Sequence, residues 1–199
     1  MQFTQDHFAK AISYSEYRKH TEDQLNTLGE DPAYKFKDYA KLNLERIKRL
    51  EKSVELSDIL KSTIQKLSTP LVLVILSEGW CGDAAQSLTI IEKIGAASNG
   101  KIDLKVFLRD SNLDIMDQYL TNGGRSIPIL IGLDKETLKE LFVWGPRPKA
   151  SQLIMDQLKA ENASMERKIE VVHAWYENDK TESIQQEINE LLVPYISVN

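Results

Sequence analysis

The run Gly79-Trp80-Cys81-Gly82-Asp83-Ala84 holds the only cysteine in the chain, between a strand-like segment and a helix-like one. A thiol attacks a disulfide or an oxidant once it is ionised, so the question is whether Cys81 is placed to lose its proton. Upstream, Leu71-Val72-Leu73-Val74-Ile75-Leu76 is an unbroken apolar run between Pro70 and Ser77, as expected of a strand buried on both faces. Downstream, Ala85, Leu88, Ile91 and Ile94 recur at three-residue steps and predict a helix from Ala84 to Ala97. Cys81 then falls in the first turn or just before it. Unpaired backbone N–H groups and the positive end of the helix dipole favour a thiolate there, which makes Cys81 a candidate nucleophile. Asp83 acts in the other direction: a carboxylate at a helix start stabilises the helix but disfavours a neighbouring thiolate. An isolated cysteine can equally be a small buried residue with no chemistry, and Trp80 can be either a flat surface for a substrate or ordinary core packing.

The elements that must position this run can be read in order. Ser13 and Glu16 fit a capping box, the helix they open ends at Gly29, and Asp31-Pro32 supplies the N-cap and first-turn proline of a second. Phe36, Tyr39, Ala40, Leu44, Ile47 and Leu50 carry that second helix. Leu56, Ile59, Leu60, Ile64 and Leu67 carry a third, after Ser53 or Ser57. Beyond the Cys81 helix, Ser98-Asn99-Gly100 is a turn, and the alternation of Ile102, Leu104, Val106 and Leu108 predicts a strand. A short helix is expected over Leu113 to Leu120, stopped by Asn122-Gly123-Gly124. This βαβ succession favours parallel pairing with a right-handed crossover. Pro128 to Leu133, a turn at Asp134-Lys135-Glu136 and Leu138 to Trp144 read as a hairpin. Gly145-Pro146-Arg147-Pro148 then opens a helix over Leu153, Ile154 and Leu158. Ser164 and Thr181 can each cap one further helix, with Ile169, Val172 and Tyr176 on the first and Ile184, Ile188 and Leu192 on the second.

Trp80-Cys81-Gly82 at a helix start, the apolar strand before it and Ser126-Ile127-Pro128 before another strand resemble the thioredoxin superfamily. The resemblance covers 54–160. It implies an α/β fold, a thioredoxin-like three-layer sandwich with a central mixed sheet, here extended by extra helices at both termini: 1–53, and 161–199 packed on the core. It also implies a cis bond at Ile127-Pro128, cheap only for X-Pro, that turns the Ile127 backbone toward Cys81 to bind an extended peptide. Asp83 and Ala84 stand where the family carries proline and a second cysteine, and Ile75 stands where it carries a buried acid. The intramolecular dithiol is therefore missing.

With 30 acidic against 25 basic residues the formal charge is −5, which argues against nucleic acid or an anionic membrane as the partner. The basic stretch from Lys41 to Lys52 is spaced as a solvated helix face. The start of the chain has no apolar signal region and no run is long enough to span a bilayer, so a cytoplasmic location is expected. His7, His20 and His173 are far apart and join no metal-ligand pattern, so no metal and no cofactor are expected. Two readings follow. In the first, Cys81 performs monothiol exchange or peroxide sensing with an external resolving thiol, a protein or a low-molecular-weight thiol or disulfide. In the second, the fold is a redox-inactive binding module for a peptide or protein. Either way Trp80, Gly82, Asp83, Ile127 and Pro128 are the candidate binding residues around Cys81. The apolar stripes of the added helices predict that they pack on one another and the core, or make a weak homodimer of an otherwise monomeric protein.

Overall fold

Strand β1, Leu71–Ser77, is buried over its whole length, because the sheet and its helices cover both of its faces. The computed structural model describes residues 2–28 and 36–197. In it, β1 pairs parallel with β2, Ile102–Leu108, from Leu71 opposite Ile102 to Ser77 opposite Leu108. On its other edge it pairs antiparallel with β3, Ile129–Asp134, which continues into an antiparallel β4, Glu140–Trp144. The sheet order β2-β1-β3-β4 is mixed and puts the Cys81 strand inside it.

The helices are α1, Gln5–Phe8; α2, Tyr14–Leu28; α3, Lys37–Ser53; α4, Asp58–Lys66; α5, Gly82–Ala97; α6, Leu113–Met116; α7, Lys149–Ala160; α8, Met165–Asp179; and α9, Glu182–Leu192. Helix α5 is buried without a break from Ala84 to Ile91, so it needs cover on every side. Its own positions include Gln86, Ser87 and Thr89, which hide the full extent of this burial from a simple periodicity. Helix α3 supplies part of the cover with Ala40, Leu44, Ile47 and Leu50, and α9 supplies another part with Ile184, Ile188 and Leu192 while also packing on α4.

The added helices pack both on one another and on core elements, as expected: α2 lies on α3 and on β2, α3 on α5, and α8 on α7. Four local expectations hold in detail. Ser13 and Glu16 close a capping box, with Ser13 N–H donating to the Glu16 carboxylate at 2.7 Å and Glu16 N–H to Ser13 Oγ at 3.2 Å. Ser57 caps α4, accepting from Leu60 N–H, and Ser164 caps α8, accepting from Arg167 N–H. The Ile127-Pro128 bond is cis. The expected helix stop at Gly29 and the Asp31-Pro32 start lie outside the described residues.

Two local expectations are corrected, and one contact is new. The helix expected to reach Leu120 ends at Met116, and Asn122 and Gly123, with φ of 51° and 77°, form a tight turn in which Thr121 and Gly124 exchange backbone hydrogen bonds. That turn uses the same positive φ a helix stop would need, which is why the sequence reads both ways. Thr181 does not cap α9 with its side chain; Ser183 N–H donates instead to the Asp179 carboxylate, and Thr181 Oγ1 accepts from Gln185. Ile12 forms a bridge with Val106 on the outer edge of β2, covering part of an otherwise open strand.

Candidate functional site

The end of β1 and the turn after it are held by α2 and α3. Tyr17 of α2 is fully buried with its hydroxyl 3.1 Å from Ser77 Oγ, and Thr21 packs so closely on Gly79 that a Cβ there would lie 2.3 Å from the threonine Oγ1. Only glycine fits under that helix. Asn43 of α3, itself buried, donates from Nδ2 to the Gly79 carbonyl at 3.1 Å. Asn43→Ala is expected to lower stability by about 1–3 kcal/mol, since it strands a buried carbonyl; the urea midpoint at unchanged m-value measures it.

The turn delivers Cys81 to the N-cap of α5. Its N–H donates to the Glu78 carbonyl at 3.0 Å and its own carbonyl accepts the Ala85 N–H. The side chain is only 8% exposed, and its S–H donates to the Ile127 carbonyl at 3.2 Å across the cis Ile127-Pro128 turn. Burial first and the Asp83 carboxylate second push the Cys81 thiol up to about 12; the backbone N–H groups of Ala84 and Asp83 and the Arg147 guanidinium pull it down without prevailing. The helix start thus acts on the thiol in the expected direction, but desolvation outweighs it.

Strand, N-cap cysteine, helix and cis-proline turn stand together in this order, and the family model described as Thioredoxin matches residues 29–159. The chain belongs to the thioredoxin family. Among solved structures, a protein of unknown function from Pseudomonas aeruginosa is similar at 17% identity and a TM-score of 0.62, over 93% of each chain. An HIV epitope-scaffold is similar at 15% identity and a TM-score of 0.61, over 94% of this chain and 95% of that one. No curated protein matches.

In this thioredoxin-family protein Trp80, Cys81, Gly82, Asp83 and Ile127 line one cleft of about 380 Å³, while Pro128 is buried and is not part of its lining. Trp80 is half-buried, stacked with Phe36 at 4.7 Å between ring centres, and the Arg109 guanidinium lies 4.8 Å from its ring centre. Asp83 is not a free charge. Arg147 holds it through Nη2 at 2.6 Å and Nε at 3.1 Å, and the Tyr176 hydroxyl donates to it at 2.8 Å. Burial and then Asp83 keep the Tyr176 phenol well above its ordinary range, so it stays a donor. His173 of α8 lies against Gly82 and accepts at Nδ1 from the Arg46 guanidinium of α3. Burial, with Arg46 next, pushes His173 down to about 4, so the ring is neutral near pH 7.

Arg147, Tyr176, Arg46, His173 and Asn43 were not among the residues picked from sequence. Arg147 carried a faint signal, a charge between Pro146 and Pro148, but the others sit in helices whose spacing marks only a buried face. Glu78 was missed as well. It is 6% exposed, three residues before the cysteine, where it accepts the Asp110 N–H at 2.8 Å, and burial raises its pKa. Among the described residues, no group of three or more His, Cys, Asp or Glu side chains is placed to hold a metal ion, and no helix is long and apolar enough to cross a membrane.

Proposed function

We propose that this protein is a redox-silent binding module of the thioredoxin family that takes its ligand in the cleft between Trp80 and the Ile127-Pro128 loop. The observation that carries the proposal is the state of the thiol: Cys81 is buried and donates its S–H to Ile127, and both its burial and Asp83 oppose ionisation. A protonated thiol is neither a nucleophile nor a peroxide sensor. Cys81 serves as a small donor that fixes the Ile127 carbonyl and forms part of the cleft floor. The absence of a second cysteine fits this role, as does Ala84 on the next turn. We assign the protein to the cytoplasm, a reading that its single cysteine, unable to form a disulfide within the chain, supports.

One observation favours the competing reading, monothiol exchange with an external disulfide. The Ala84 and Asp83 N–H groups and Arg147 all draw Cys81 toward the thiolate. In that chemistry the Cys81 thiolate attacks one sulfur of the disulfide, the other leaves as a thiolate, and a second external thiol resolves the mixed disulfide.

Alkylation of Cys81 by iodoacetamide against pH separates the two. At pH 8 the folded protein is expected to label at least about a hundredfold more slowly than the same chain in denaturant, with the rate still climbing above pH 10. The sign follows from the raised folded pKa: ionisation is delayed until the pH nears 12, so the thiolate fraction at pH 8 is far below that of the unfolded chain. Fast folded-state labelling with an apparent pKa below about 8.5 would discard the binding reading in favour of exchange.

A further inference from the structure

The cleft over Cys81 has a charge character opposite to that of the chain. The chain carries a net −5, yet Arg46, Arg109, Arg125, Arg147 and Lys168 line the cleft against the single carboxylate of Asp83. These cations are not equivalent. Arg147 is cancelled by Asp83, Arg109 pairs with Asp110 and Arg125 with Asp117. Arg46 and Lys168 remain, both half-buried, and neither forms an ion pair among the described residues. Arg46 donates only to neutral acceptors, Asn43 Oδ1 at 2.9 Å and the His173 ring, while Glu177 acts on it from longer range. A guanidinium that has surrendered part of its hydration without gaining a carboxylate is stabilised by any anion that reaches it. Between these cations the cleft wall is apolar, with Trp80, Ile127, Met155, Ile169 and Val172.

We propose that this cleft takes a small organic anion, its carboxylate or phosphate held by Arg46 and Lys168 and its apolar body lying against Trp80, Ile127 and Val172. The inference rests on the binding reading above and narrows it. A volume of about 380 Å³ lies in the range of small-molecule sites. Helix α3 adds Tyr39, Asn43 and Arg46 to the lining and α8 adds Lys168, Ile169 and His173, with Arg46 and His173 joined by a hydrogen bond, so the added helices build over the face an extended peptide would cover. Arginine supplies a planar fork for a carboxylate or phosphate, and lysine a second point charge.

The test uses two dyes that share a shape and differ in charge: the anion 8-anilinonaphthalene-1-sulfonate and its uncharged relative N-phenyl-1-naphthylamine. Both are titrated by fluorescence into the full-length folded protein, whose cooperative urea transition is checked for each variant. The sulfonate is expected to bind saturably at one per chain and to weaken as salt is raised. Its affinity should fall roughly tenfold in Arg46→Gln and again in Lys168→Gln, while the neutral dye binds less tightly and does not respond to either change. Among the described residues Lys168 takes no part in the hydrogen bonds that join Arg46 to Asn43 and His173, so its variant keeps the test informative if Arg46→Gln perturbs α3. Equal, saturable binding of both dyes that neither substitution alters overturns the anion assignment and leaves a binding cleft in place. Saturable binding of neither dye overturns the binding reading together with it.

Discussion

Asp83→Asn is expected to destabilise the protein by about 3–5 kcal/mol and at the same time to make Cys81 react faster. Asp83 and Arg147 have side chains only 13% and 10% exposed, and Arg147 meets both carboxylate oxygens. Removing one charge from such a pair leaves the other buried without a counter-ion, which costs far more than the pair contributes when intact. Asparagine also sets its amide NH2 against a guanidinium donor, Nη2 or Nε, whichever way the amide lies. The thiol responds with a definite sign. The carboxylate that raises its pKa disappears and the guanidinium that lowers it stays, so the Cys81 value falls from about 12 and iodoacetamide labelling at pH 8 accelerates. The linkage to stability has the matching sign. With a folded pKa above the unfolded one, the contribution of Cys81 is complete below the unfolded value and is lost as pH rises toward 12, and in the variant this alkaline loss shrinks. Urea titrations at pH 7 and pH 10, with labelling rates on the same samples, give both readouts. An unchanged urea midpoint, or slower labelling, contradicts the electrostatic account.

Gly145→Ala is expected to cost about 3 kcal/mol or more, for reasons that combine backbone and packing. Gly145 has a φ of 120°, a conformation side-chain-bearing residues rarely adopt, and a Cβ there would lie 2.3 Å from the Pro128 carbonyl oxygen. The obstructing atom belongs to the backbone, so no side-chain rotation relieves the contact. Because Pro128 follows Ile127, which accepts the Cys81 S–H, the displacement is transmitted to the cleft, and dye binding should weaken along with stability. Gly95→Ala provides the contrast. Gly95 lies within α5, a Cβ there meets nothing within 4 Å, and the change should stabilise by about 0.5–1 kcal/mol. Equal effects at the two glycines would mean that the close approach of Gly145 to Pro128 plays no part.

Both predictions depend on residues far from Cys81 in the chain, and the same is true of the cleft. Tyr176 is 93 residues from the aspartate it binds, and Arg46 is 127 from His173. The helices α3 and α8 add Arg46 and Lys168 to the cleft over Cys81.

What is local in the chain was legible from its residues. The buried strand at Leu71–Ser77, Cys81 at the cap of the following helix, the capping residues Ser13, Ser57 and Ser164, the hairpin and the Ile127-Pro128 turn each rest on neighbours a few positions apart. Periodicity, caps and proline geometry act at that range. The protonation preference of Cys81 was not legible, because two local terms of opposite sign, the helix start and Asp83, are both smaller than a desolvation set by everything packed around the thiol. Nor were the partners of Asp83, the neutral state of His173 and the excess of cations over the cleft. These follow from which helix faces meet, and an apolar stripe states only that a face is buried, not what it is buried against. Short-range chemistry placed the thiol, and long-range packing decided whether it is ionised and what lies over it.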